Sequence, residues 1–163
     1  MSTDSDLFAC WRKVGIKAYS FFINLGFWFN HIPEIYKTYK TMKEYRKLSL
    51  VDLMNKFSWS SDSKILQDWI PWVSTIIAEE LKDDCDGAAI LAKWYIEENG
   101  GQADVYSLWP IDKIKGHSIC VSNDKKYFVS NNNVLVIVSP EDWQTEVLKR
   151  FKSHKYEVII KES

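Results

Sequence analysis

Apolar and aromatic residues recur at helical spacing through the first half of the chain. From Asp6 to Asn30 a broad stripe carries Phe8, Trp11, Phe21, Phe22, Leu25, Trp28 and Phe29, and Pro33 breaks it. Over Glu34–Lys47, the residues Tyr36, Tyr39, Met42 and Tyr45 mark one face of a helix; Lys37, Lys40, Lys43, Arg46 and Lys47 mark the other. Ser49 with Asp52 three residues on is a capping pattern, and it predicts a short helix through Phe57. Ser58–Ser63 reads as a loop, and Pro71 suits the first position of a helix running to Leu81. Asp83 or Asp84 can cap a helix over Cys85–Glu98, which Asn99-Gly100-Gly101 ends. Then β-type runs take over at Asp104–Trp109, Gly116–Ser122, Lys126–Ser130 and Val134–Val138, with a hairpin at Asn123-Asp124. Ser139-Pro140-Glu141-Asp142 starts a last helix with Trp143, Val147, Leu148 and Phe151 on one face, and Tyr156–Ile160 is a candidate final strand. Helices first and an antiparallel sheet second make an α+β pattern.

The length of 163 residues fits one domain, with 1–48 as a helical extension and 49–163 as the core. At 46% hydrophobic and 26% charged, the chain can bury a core, which excludes a disordered or fibrous protein. Lys+Arg 21 against Asp+Glu 22 leave a net charge of -1, which argues against nucleic acid as a partner. Cys10, Cys85 and Cys120 are too few and too scattered for a disulfide framework, and the first residues do not read as a signal peptide. A reducing, cytoplasmic setting is the expectation. The most apolar run, Ala18–Phe29, contains Ser20, Asn24 and Gly26 and falls short of the roughly 20 residues that cross a bilayer. No stable membrane insertion is expected.

Cys85 stands in the first turn of its helix, where the partial positive charge of the helix terminus favours a thiolate. Ala88, Ala89 and Ala92 share its face and let the helix approach a sheet closely. His117 follows Gly116 at the start of a strand. A cysteine nucleophile needs a base that takes its proton and returns it to the leaving group, and imidazole suits that role near neutral pH. The base needs a third group to orient it, and Ser130, Asn131 and Asn132 end the next strand. The Cys85 N–H is a natural oxyanion donor, with Gln67, Trp69 or Trp72 as a second. Cys10, His31, Cys85, His117, Cys120 and His154 lack the paired spacing of a zinc site, and no glycine-rich phosphate loop is present, so neither metal nor cofactor is expected. The basic face over 37–47 is expected to be solvated, and the N-terminal aromatic stripe to pack on the protein's own core.

Asp84-Cys85-Asp86, the helix, Gly100, a strand and His117 opening a hairpin whose return strand ends in a polar residue resemble the transglutaminase-like superfamily. More narrowly, they are similar to bacterial and phage transglutaminase-like cysteine proteinases of papain-like fold. Phe57-Ser58-Trp59-Ser60-Ser61-Asp62 and Asp68-Trp69 are similar to the lead-in of those domains, and the likeness spans about residues 50 to 138. It implies a thiol-dependent hydrolase or acyl transferase acting on an amide bond in a protein or peptide, with Cys85 as nucleophile, His117 as base and an Asp or Asn orienter. Two departures are visible. The usual Gly-Asp-Cys is Asp83-Asp84-Cys85, and Gly87 replaces an acidic residue. Together with the carboxylates around Cys85, they open the alternative of an inactive interaction or structural protein, phage-borne and then located in host cytoplasm or virion.

The orienting residue depends on hairpin register. A two-residue turn pairs His117 with Ser130 and puts Lys126 on the His117 face; a three-residue loop pairs His117 with Asn131 and puts Val129 and Tyr127 opposite Ile119 and Val121. Family spacing favours Ser130. The cost of burying Lys126 beneath the helix favours Asn131, which completes the expected set Cys85, His117 and Asn131.

Overall fold

In the computed structural model the described residues are 20–29, 34–60, 72–110, 116–151 and 156–161. The readings at Phe8, Cys10, Trp11, Pro33, Ser61–Ser63, Gln67, Asp68-Trp69, Pro71 and His154 lie outside them.

Helices come first. Residues 20–29 form α1, followed by α2 (Ile35–Tyr45) and α3 (Leu50–Asn55). The Ser49 hydroxyl caps α3 by accepting the Asp52 N–H at 3.0 Å. Ser58–Trp59, expected to be loop, is a two-residue strand β1 that pairs in parallel with β2 (Lys82–Asp83). Helix α4 (Val73–Ala78) is shorter than expected. Glu80 and Leu81 follow it at φ 59, and this left-handed step turns the chain into β2 and on to Cys85.

Helix α5 (Cys85–Glu98) has the bounds its pattern predicts, with Asp84 as N-cap and Gly100 at φ 80 beyond its end. The five-stranded antiparallel sheet runs β6-β5-β4-β3-β7, built from β3 (Ala103–Pro110), β4 (His117–Ser122), β5 (Tyr127–Ser130), β6 (Asn133–Val136) and β7 (Tyr156–Lys161). A 3-10 turn at Pro140–Asp142 leads into α6 (Trp143–Arg150).

Alternation along the strands makes two cores. Ala88, Ala89, Leu91 and Ala92 of α5 pack with Cys120 and Val129 on one face. Leu108, Ile119, Val121 and Phe128 pack with Val147 of α6 on the other. The fold is α+β, with the cysteine-bearing helix on an antiparallel sheet.

The β4–β5 register differs from both arrangements considered. Cys120 opposes Val129 and Val121 opposes Phe128, so Ser122 opposes Tyr127 and four residues, Asn123 to Lys126, form the connection. Lys125 takes φ 56, and its N–H bonds the Ser122 carbonyl at 2.9 Å. Lys126 is thus outside the ladder, exposed and 3.2 Å from Asp124. The longer loop removes the burial conflict that had selected Asn131. Val129 and Tyr127 face α5, while Ile119 and Val121 face α6.

Candidate active site

The head of α5 is a tight arrangement of short polar bonds. Asp84 accepts the Asp86 N–H at 2.9 Å, and its own N–H donates to Asp83 Oδ1 at 2.8 Å. Gly87 is buried where a Cβ would lie 2.5 Å from the Asp83 carboxyl, so a larger residue behind the cysteine would force Asp83 to shift. The half-buried Cys85 thiol lies 3.8 Å from Asp86 Oδ1, which also accepts from the Ser118 hydroxyl.

Burial first, then the negative charge of Asp86 and, less strongly, that of Asp84, push the Cys85 thiol from 9.0 up to about 12. The backbone N–H groups of Ser118 and of Cys85 itself favour the thiolate and oppose this without reversing it. The helix terminus is therefore outweighed. The Cys85 sulfur, Asp84 and Asp86 offer donor atoms within 4.8 Å of one another, the group of that kind found among the described residues. Asp84 already caps the helix and Asp86 already accepts from Ser118.

His117 opens β4 opposite Leu108, on the face that α6 covers. Its ring lies 5.2 Å from Phe151 and stacks at 6.3 Å on Tyr156. Its Nε2 bonds Ser130 Oγ at 2.8 Å. Ser130, buried and diagonal to His117 across the ladder, thus holds the place expected for Asn131. Asn131 falls opposite Ser118 by the same register and turns the chain at φ 50, its Oδ1 buried with no hydrogen-bond partner among the described residues. Burial, then the negative charge that Cys85 carries when ionised, raise the Tyr156 phenol above the ordinary value of 10.0.

Asp86, Ser118 and Tyr156 were not among the expected site residues. The spacing after His117 did point to Ser130; nothing in the local sequence points to Tyr156, which the sheet brings in from beside β3. Cys120 is buried against α5 as a small packed residue, and burial pushes its thiol up to about 12 as well. The backbone N–H of Trp72 donates to Asn24 Oδ1 at 2.8 Å.

No protein-family model and no curated protein matches the chain. Among solved structures it is similar to Legionella pneumophila LapG (calcium-bound), with 14% identity and a TM-score of 0.44 over 59% of this chain and 57% of that one. The chain thus spans somewhat more than half of that protein's length. The protein is defined here by its own architecture: a cysteine at the head of a helix laid on an antiparallel sheet, with a histidine opening the second sheet strand. Among the described residues, no helix is long and apolar enough to cross a membrane.

Proposed function

We propose that the chain is a thiol-dependent hydrolase or acyl transferase of transglutaminase-like type, acting on an amide bond of a protein or peptide. Cys85 is the nucleophile, His117 the base, and Ser130, rather than Asn131, orients the imidazole. The supporting observation is that Ser118, the residue directly after His117, donates its hydroxyl to Asp86 Oδ1, the oxygen 3.8 Å from the Cys85 sulfur. Two consecutive residues of β4 thus serve the two reacting groups. With Nε2 held by Ser130, Nδ1 is the nitrogen assigned to the thiol proton. The ring stands on the α6 side of the sheet, at the first residue of β4, so in this reading it turns past the strand end to reach the thiol.

In the reaction the S–H proton passes to Nδ1 and sulfur attacks the carbonyl carbon. The resulting oxyanion accepts from the Cys85 N–H. Collapse breaks the C–N bond, the amine leaves with the proton from the imidazolium, and a thioester remains for water or a second amine. Burial, then the carboxylates beside the thiol, hold it neutral and make proton transfer to His117 the demanding step.

A second reading, a non-catalytic interaction protein, is favoured by one observation: a thiol pushed up to about 12 carries little thiolate at neutral pH. Mass-spectrometric profiling of a peptide library with added amine separates the two. Cleaved or amine-tagged peptides with the native protein, absent with Cys85→Ala, support the enzyme. Equal products from both proteins, or none from either, support the second reading.

A further inference from the structure

We propose that the N-terminal helices form a docking surface for a bilayer containing anionic phospholipid, independent of the cysteine site. The first observation is that α1 is inside out. Its buried positions are Ser20 and Asn24, while Phe21, Phe22, Ile23 and Phe29 are exposed, Phe22 and Phe29 each by 69%. Hydrogen bonds fix this orientation. Asn24 Oδ1 accepts from the Trp72 N–H and the Thr75 hydroxyl, both at 2.8 Å, and Nδ2 donates to the Ser20 carbonyl at 2.8 Å. The polar side of α1 is therefore bound to the start of α4, and the phenyl side is left outward. The aromatic stripe read in the sequence does not pack on the core over these residues.

The second observation is that the exposed rings are continuous with a groove. Phe21 lies 5.7 Å from Phe22 and 6.0 Å from Trp72. Trp72 lines, with Trp28, Ile35, Tyr39 and Met42, an almost wholly apolar cavity of about 270 Å³ between α1, α2 and α4. An apolar surface of this kind on a soluble face marks an interaction site.

The third observation selects the occupant. Lys43 Nζ lies 4.7 Å from the Tyr39 ring, at the edge of the groove, and Lys40 is one turn earlier on α2. Helix α2 carries Lys37, Lys40 and Lys43 against Glu44 alone, in a chain whose net charge is -1. Aromatic side chains rimmed by lysines suit the headgroup and acyl boundary of an anionic membrane. A symmetric dimer through the same patch would bring two cationic rims together, which like-charge repulsion disfavours.

The test is sedimentation of the full chain with phosphatidylcholine vesicles, with and without phosphatidylserine. Binding should need phosphatidylserine and weaken as salt rises. Lys40→Glu with Lys43→Glu should weaken it at least about tenfold. Phe22→Ser with Phe29→Ser should abolish it while the melting temperature is retained, since both side chains are exposed. Brominated acyl chains should also quench tryptophan fluorescence in the native protein. No sedimentation with either vesicle, or binding indifferent to both double variants, would overturn the proposal. So would a lipid-free dimer that Phe22→Ser dissociates, because it would give the patch to a second copy.

Discussion

The Cys85 thiol feels the helix terminus and two backbone N–H groups on one side, and burial, Asp86 and Asp84 on the other; the second set prevails. Removing the larger of the two charges should shift the balance. Asp86→Asn is expected to lower the pH midpoint of Cys85 alkylation by iodoacetamide by about one unit, a change of about 1.4 kcal/mol. An unchanged midpoint would remove Asp86 from the causes and leave burial and Asp84. Cys85 and Cys120 also make stability pH-dependent. Both are raised from 9.0 to about 12 in the folded chain. Below pH 9 folded and unfolded states both hold the proton and the contribution is complete. Above it the unfolded state ionises first, so stability falls as pH rises from about 9 to about 12, by up to about 1.4 kcal/mol per pH unit for each thiol. Urea titrations at stepped pH should show a shallower decline for Cys120→Ala than for the native chain. At this level the sequence was legible for Cys85 as the head of a helix, since Asp84 and the glycines bracket it. It was not legible for the thiol's ionisation, because Ser118 and the degree of burial come from a strand more than thirty residues away.

Helix α5 and the β4–β5 hairpin each contain a position where one substitution separates competing effects. Gly87→Ala improves helix propensity by about 1 kcal/mol, yet its methyl would lie 2.5 Å from the Asp83 carboxyl. Overpacking of this kind costs about 1–3 kcal/mol, so net destabilisation is expected in denaturant unfolding. Asp83→Ala in the same chain should restore much of it; a stabilised Gly87→Ala would show that Asp83 moves aside freely. In the hairpin, Ser130→Ala removes the 2.8 Å bond to His117, whereas Asn131→Ala leaves it intact. If His117 is the base, Ser130→Ala should lower kcat about tenfold or more with little change in KM, and Asn131→Ala should have the smaller effect. The reverse ranking would favour the orienter first expected. The hairpin's existence and both its strands could be read from alternation and turn residues. Its register could not, because Asp124 accepting the Lys126 N–H at 3.2 Å and the left-handed Lys125 lengthen the loop to four residues. One added residue reverses which strand positions face the helix.

The two cores share β3, β4 and β5; α2 and α3 pack on the first of them through Met42, Tyr45, Leu53 and Met54, and a few polar contacts tie the N-terminal helices further. Arg46 pairs with Glu98 of α5 at 2.7 Å, the Tyr95 hydroxyl donates to the Leu48 carbonyl, and Asn24 accepts from two donors near α4. The order of helices and strands was legible because each element carries its own period and caps. The place of β7 beside β3 was not, since chain-end pairing has no local signal. Nor was the outward turn of α1, which depends on Asn24 meeting Trp72 and Thr75 about fifty residues later. We expect the extension and the core to unfold as one unit. The exposed Arg46–Glu98 pair contributes little by itself, so Asn24 is the informative site. Asn24→Ala would leave the Trp72 N–H and the fully buried Thr75 hydroxyl without their acceptor. The buried Thr75 hydroxyl left unsatisfied costs about 1–3 kcal/mol and the half-buried Trp72 N–H less, so a loss of about 1–3 kcal/mol is expected in one transition. Tryptophan fluorescence reports on Trp28 and Trp72 as well as on the sheet side, while far-UV circular dichroism reports on all elements. The two denaturant curves should coincide and move together in the variant. An early fluorescence step in Asn24→Ala, with the dichroism midpoint unmoved, would show instead that the extension melts alone and that Asn24 stabilises only its own helix.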